Sequence, residues 1–367
     1  MTPYGSAQAE YNSNVFSLPN SDQAFLETGD RRLADETLRL IIGLQARLPV
    51  SQQTFRAKLE GRRFDYLHLD RLDHNEYRLS TGLDWRLATF LTGTLDLSQE
   101  RRLAPFTDRI STNLTLESER VLSASSDLEI GNEWRLETAL RSRALDSPLP
   151  NFPGFKLEEN TADVAIKYLI GEGLDAGIYG KYQFGTFKGV PEAGDFDEQS
   201  LGLVVDYSID ELSRVAAQAG YTRRQDERQA DANGRSSAIT GKLSYFRQLT
   251  GKTSVGIDAF RRVNSYVGDA STVQETGAGL ALNWAPTVKI GVFANYQYGI
   301  SRFQQSGTSA SNDSRHDDSH VASLKLAWQA LSWLVVNPYT AYQVRSSTIE
   351  RNSFKAIMVG LELGARL

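Results

Sequence analysis

Cysteine is absent from this chain, which removes disulfides, thiolate nucleophiles and Cys-ligated zinc or iron–sulfur centres from consideration. Histidine is scarce, with four in 367 residues. No apolar run comes near the ~18 residues that a membrane-crossing helix needs. An excess of basic charge is also missing. Lys+Arg number 40 against 45 Asp+Glu, a net −5, which argues against a nucleic-acid partner, since phosphate binding needs a basic surface. The opening Met1-Thr2-Pro3-Tyr4 has neither a basic stretch nor an apolar segment. It reads as a cytoplasmic start or as a mature form that has lost its signal peptide, and the rest of the chain favours the second.

Helical periodicity is almost lacking too. What is present is a period of two. In the last segment Ile357, Val359, Leu361, Leu363 and Ala365 alternate with Met358, Gly360, Glu362, Gly364 and Arg366, one apolar and one mostly polar or small face. The pattern returns at Leu38–Leu48, Tyr77–Leu87, Leu91–Leu97, Ile110–Leu116, Leu128–Leu140, Leu201–Ile209 and Ala322–Trp328, among others. Short connections are expected at Pro49–Ser51, Ala88-Thr89, Ser123–Ser126, Gly171–Gly173, Asp210-Glu211, Thr250–Lys252, Ala285–Thr287 and Leu331-Ser332. Longer polar ones fall between them, such as Ser17–Leu33, Asp146–Lys156 and Gln304–Asp318.

About 18 strands of roughly 10–16 residues result, long enough to cross a bilayer at a tilt. The expectation is a single all-β domain over 1–367, a transmembrane antiparallel barrel in the outer membrane with short periplasmic turns and longer extracellular loops. Of the five Trp, Trp85, Trp284, Trp328 and Trp333 fall at periplasmic ends, while Trp134 reads as mid-strand. Tyr11, Tyr77, Tyr221, Tyr298 and Tyr342 fall at the opposite girdle. Register breaks are expected at Arg62-Arg63 and Arg223-Arg224.

The face opposite the apolar one would line the lumen. Its candidates for contact with cargo are Arg39, Arg56, Lys58, Arg62, Arg78, Arg86, Arg135, Lys181, Arg262, Phe293 and Tyr339. Further inward rings are Phe64, Tyr66, Phe90, Tyr179, Phe246 and Phe260. Both signs alternate with no long single-sign stripe, which disfavours strong ion selectivity. The stretch Asp146–Lys156, stiffened by three prolines and carrying Phe152 and Phe155, is the first choice for a gating loop. Catalytic signals are weak. His316-Asp317-Asp318-Ser319-His320 has metal-ligand residue types but reads as a solvated loop, and His68, Asp70, Asp73 and His74 lack a nucleophile fixed beside them. Neither a cofactor nor a metal is expected.

Ala9-Glu10-Tyr11-Asn12-Ser13-Asn14-Val15-Phe16-Ser17-Leu18-Pro19 ends the first strand and enters the first long loop. It resembles the Tyr-x-x-Asn-hydrophobic-Phe-x-Leu-Pro opening of the outer-membrane β-barrel family of bacterial exopolysaccharide clusters, EpsL type, through Tyr11, Asn14, Phe16 and Pro19. The resemblance implies a non-enzymatic exit for secreted polysaccharide, set in outer-membrane lipid and working with a periplasmic polysaccharide-export protein. A general or substrate-selective diffusion porin is the alternative, and a plugged structural or adhesion barrel is a third class.

Overall fold

The computed structural model describes residues 1–108, 112–149, 152–189, 195–226, 235–265, 272–304 and 315–366. Eighteen strands run through these described residues. They are β1 Thr2–Asn12, β2 Asp35–Val50, β3 Gln53–Tyr66, β4 His74–Ala88, β5 Leu91–Leu103, β6 Leu116–Ile130, β7 Trp134–Leu149, β8 Phe152–Gly171 and β9 Leu174–Lys188. The second half comprises β10 Phe196–Asp210, β11 Ser213–Asp226, β12 Arg235–Thr250, β13 Thr253–Ser265, β14 Thr272–Thr287, β15 Ile290–Gln304, β16 His316–Gln329, β17 Leu334–Ser347 and β18 Phe354–Arg366. Each strand pairs antiparallel with its neighbours in sequence, and β1 closes the sheet on β18 from Tyr4↔Arg366 to Asn12↔Met358. The molecule is a closed transmembrane barrel.

Alternation decides which way each residue points. In β2 the even positions Leu38, Leu40, Ile42 and Leu44 stay exposed on the outside, where only lipid would cover them. The odd positions, beginning at Arg39, face in. Connections of two to four residues join the strands at one end, and most connections at the other end are longer. At the short end the turn between β6 and β7 is Gly131-Asn132-Glu133, with Gly131 at φ 65, a left-handed conformation that glycine adopts without penalty. Ser123–Ser126 is therefore strand rather than turn, and Leu128–Leu140 is two strands. With the turn so placed, Trp134 opens β7 and joins the other four Trp at the periplasmic end, its ring edge-on to Tyr168 at 4.9 Å.

Three further expectations need correction. Thr112–Thr115 lies outside any strand, and Ile110 and Ser111 lie outside the described residues. Phe90 sits in the β4–β5 turn and not on the inner wall. Pairing runs unbroken through Arg62-Arg63 and Arg223-Arg224; the register shifts fall beside tight turns, as at Arg86/Ala88, Ser208/Asp210 and Gln248/Thr250. A tight turn between twisted strands needs one extra residue, whereas a run of charge on a wet wall strains nothing.

On the inner wall several large rings lie flat over a glycine of the next strand. A Cβ at Gly43 would run into the Tyr4 ring, one at Gly360 into Tyr339, one at Gly277 into Phe260, and one at Gly202 into Tyr179. Glycine there lets an aromatic ring lie along the wall rather than project across the lumen. The face assignment is testable. Leu280→Arg, on the outer face of β14, is expected to cost about 2–4 kcal/mol. The inward Gln297→Arg, one strand away in register with Gly279, should stay within about 0.5 kcal/mol. Urea unfolding in micelles reads both.

Candidate functional site

The inner wall is built from cross-strand ion pairs. Arg56 donates to Asp84 at 2.7 Å and to Asp96 at 2.9 Å; Lys58 meets Glu60 at 2.9 Å. Arg62 reaches Glu60 at 2.6 Å and both Glu76 and Glu100 at 3.4 Å. Further round, Arg135 meets Asp175 at 3.0 Å with Asp127 and Glu129 at 3.5 Å, Lys181 meets Glu198 at 3.0 Å, and Arg262 meets Glu275 at 2.7 Å. Arg39 lies over the Phe64 ring, Arg78 sits in register between Glu60 and Glu100, and Arg86 is exposed near the periplasmic turn. Tyr339 donates to Glu10 and accepts from Gln8, and Phe293 stays exposed beside Lys325. The predicted lumen residues thus share one inner surface. Each exposed pair is worth only about 0.2–1 kcal/mol; their main effect is to hold long side chains against the wall.

The ladder is uneven. From β2 to β11 charge follows charge, whereas the inner positions of β13 to β16 are mostly small or neutral, including Ser254, Gly256, Gly277, Gly279, Asn295 and Ser323. Between the two sectors lies a recess of about 860 Å³ whose lining includes Tyr179, Gln218, Lys242, Phe246 and Phe260.

Apart from Tyr179, the buried apolar residues among those described lie instead at the extracellular end. The loop 13–34 folds over the mouth and carries a helix, α1 Ser21–Thr28, capped by the Asn20 side chain accepting from Gln23 N at 2.8 Å and ended by Gly29 at φ 77. Its core joins Val15, Phe16, Leu18 and Ala24 to Leu69 and Leu72 of the loop 67–73, with Tyr66, Phe106 and Leu114 packed against them. Phe16 is 2% exposed and Leu72 0%. Phe16 meets the Phe106 ring edge-on at 5.2 Å.

Buried Asn14 donates to Leu18 O at 2.7 Å and Lys355 O at 3.1 Å while accepting from Leu18 N at 3.1 Å. Pro19 leads directly into the helix cap, and Tyr11 points outward on β1 at the extracellular girdle. Arg351 ties α1 to the last loop through Glu27 at 2.8 Å, and inward-facing Arg345 of β17 reaches across to Thr107 O of the loop 104–115 at 2.7 Å. That last contact places Thr107 inside the mouth.

The expected gating loop takes another form. Asp146–Leu149 and Phe152–Lys156 are strand, paired Asp146↔Lys156 and Ser147↔Phe155, so this stretch extends a hairpin and is not a free loop. Phe155 nevertheless points inward, buried with Leu145, Leu157, Phe187 and Phe196. Arg224 lies over the Phe196 ring at 3.7 Å. The side chain of Phe152 and residues 305–314 of the long connection Gln304–Asp318 lie outside the described residues.

The rim histidines do not converge. His68 Nδ1 lies 2.9 Å from Asp35 Oδ1 and 3.6 Å from Glu36 Oε2, three groups of metal-ligand type close together. However, the Asp35 oxygens already accept from the backbone N–H groups of Glu36, His68 and Leu69, so this carboxylate clamps a loop. Asp73 is likewise spent, accepting from Tyr66 N at 2.7 Å. In His316–His320 strand alternation separates the groups: Asp317 turns inward to Arg315 at 2.6 Å, while His320 bonds Tyr296 at 2.9 Å.

No protein-family model matches the sequence, and no curated protein is detectably similar to it. Solved structures do match its shape. OccK5 (OpdH) of Pseudomonas aeruginosa is 10% identical with a TM-score of 0.50, over 100% of this chain and 98% of the other. A point mutant of the ferric enterobactin receptor PfeA, also from Pseudomonas aeruginosa, is 8% identical with a TM-score of 0.50, over 100% of this chain and 80% of that one. At such identity the likeness speaks for the barrel alone.

The cap core is separable from the barrel wall. Phe16→Ala should remove about 3–5 kcal/mol of packing. Protease is then expected to cut within 13–34 while the heat-resistant mobility of the barrel on gels stays unchanged; joint loss of both would show that cap and wall are one unit.

Proposed function

We propose that this protein is an outer-membrane channel through which small hydrophilic solutes diffuse, without chemistry of its own, and that its extracellular loops set the size limit. One observation carries the reading: polar side chains line an inner wall that is mostly exposed towards the periplasm, while both buried apolar clusters lie at the extracellular mouth. Barrels of this strand number enclose an aqueous interior unless something fills it, and among the described residues the apolar clusters that could fill it lie at one end.

A second reading has its own support. Asn14 and Phe16, which carry the resemblance to the exopolysaccharide family, form the heart of the cap, where an exit gate for a polymer would sit. A polysaccharide leaving with the help of a periplasmic export partner would need that cap to swing aside.

Conductance in planar bilayers with oligosaccharides on one side separates the two. Steady conductance that long oligosaccharides leave unblocked, with small sugars entering liposomes, supports the diffusion channel. Transient block by long chains favours polymer exit, and no conductance removes the diffusion channel and points to a closed gate or a plug. Asn12 and Asp35 are already opposite one another in the sheet, so a short turn can replace 13–34; that variant should conduct several-fold more than the intact protein.

A further inference from the structure

We propose that the recess on the inner face of β11, β12 and β13 is a binding site for a short neutral oligosaccharide. The inference deepens the channel reading and rests on it for access, since it names a class of solute that the lumen retains. Ile239 and Leu243 of β12 are exposed on the outside, so the alternate positions Lys242, Ser244 and Phe246 face in. Across from Lys242 stand Gln218 of β11 and Phe260 of β13. Asp258 stands across from Ser244, and Arg214 across from Phe246. All seven line the recess of about 860 Å³, within the roughly 300–1,000 Å³ of small-molecule sites.

Two features set this patch apart from the paired wall. The first is polar capacity left unused. Nearby, Lys181 holds Glu198 at 3.0 Å and Arg262 holds Glu275 at 2.7 Å. Among the described residues, the side chains of Arg214, Gln218, Lys242, Ser244 and Asp258 make no hydrogen bond or ion pair with the rest of the protein. Donors and acceptors therefore converge on one space with their bonding directions open to a solute. The second is an apolar surface on the wet side. Phe246 is 47% exposed, although its position faces the lumen and not lipid. Phe260 lies over Gly277 with the Arg262 guanidinium 4.7 Å from its ring centre, and forms another side of the recess.

A solute that fits needs apolar faces for the rings and hydroxyl edges for the polar groups, which is the make-up of a sugar. Charges of both signs line the recess, Arg214 and Lys242 against Asp163 and Asp258, so an ionic solute meets repulsion together with attraction. Phe246 and Phe260 lie four residues apart in register, about 14 Å along the strands. A single sugar ring cannot reach both, whereas a chain of two or three units can. The site holds what the mouth has already admitted, and the size limit stays with the loops.

Calorimetric titration of the full-length barrel, in a detergent without a sugar headgroup, tests this with glucose, glucuronate, maltotriose and cellotriose. At least one trisaccharide should bind saturably and about tenfold more tightly than glucose, with glucuronate no tighter than glucose. Phe246→Ala and Asp258→Ala should each weaken that trisaccharide about 5- to 10-fold. The proposal is overturned if neither trisaccharide saturates, if glucose binds as tightly, or if both variants bind unchanged. The wild-type titration decides alone should a variant fail to fold. Conductance of the same preparation separates the two readings. A barrel that conducts but binds no trisaccharide loses the site and keeps the channel, and one that binds without conducting keeps the site and loses the channel.

Discussion

Backbone hydrogen bonding in a medium without water is the constraint on which this structure depends. Each N–H and C=O inside hydrocarbon must find a partner in the protein, and a sheet can meet that demand only by closing on itself. The pairing of β1 with β18 is thus a condition for the other seventeen interfaces to exist in a membrane at all. Closure with strict alternation then assigns every side chain to lipid or lumen. The exposed Leu and Ile rows on the outside and the Arg, Lys, Asp and Glu rows within are two readings of one geometric fact.

That fact is why so much of the fold was legible in the sequence. A period of two is a local signal, and stretches such as Leu38–Leu48 or Tyr77–Leu87 carry it unmistakably. Strand number, the division of faces and the short-turn end all follow from it. The misplaced β6–β7 turn shows where local signals fail. Ser123–Ser126 is rich in turn-forming residues, yet it lies on a wall where serine suits the lumen, and the true turn is marked by a left-handed glycine, Gly131. Reading that turn wrongly also misplaced Trp134.

The cap was far less legible, because it rests on contacts between loops distant in sequence. Phe16, Leu69, Leu72 and Phe106 come from three connections, and no periodicity links them. One local sign was present. Asn20 followed by Gln23 marks a helix start, and Gly29 its end, so α1 was readable inside what passed for a loop. A second sign is compositional: an apolar residue inside a long polar loop must bury itself against something, as Val15, Leu18 and Leu72 do. The same reasoning recovers Phe155, whose inward position was anticipated although its surroundings proved to be an extended hairpin with Phe187 and Phe196 across from it.

In the channel proposed here, the wall and the mouth divide the work of selection. Along the wall, carboxylates and cations engage one another, as in Arg56 with Asp84 and Asp96 or Arg143 with Glu119 and Glu159. Pairing of this kind keeps the lumen wet but gives it no dominant sign, so a passing solute meets hydration and little net field. Flattened rings over glycines keep the bore clear for the same reason that they stabilise the sheet. What discriminates must therefore sit where the bore is interrupted. The cap is suited to that task because its core is small and held by a few identifiable contacts, so it can open at far less cost than the barrel itself. A wall with eighteen mutually dependent strands cannot move one of them; loops hung on its rim can move together.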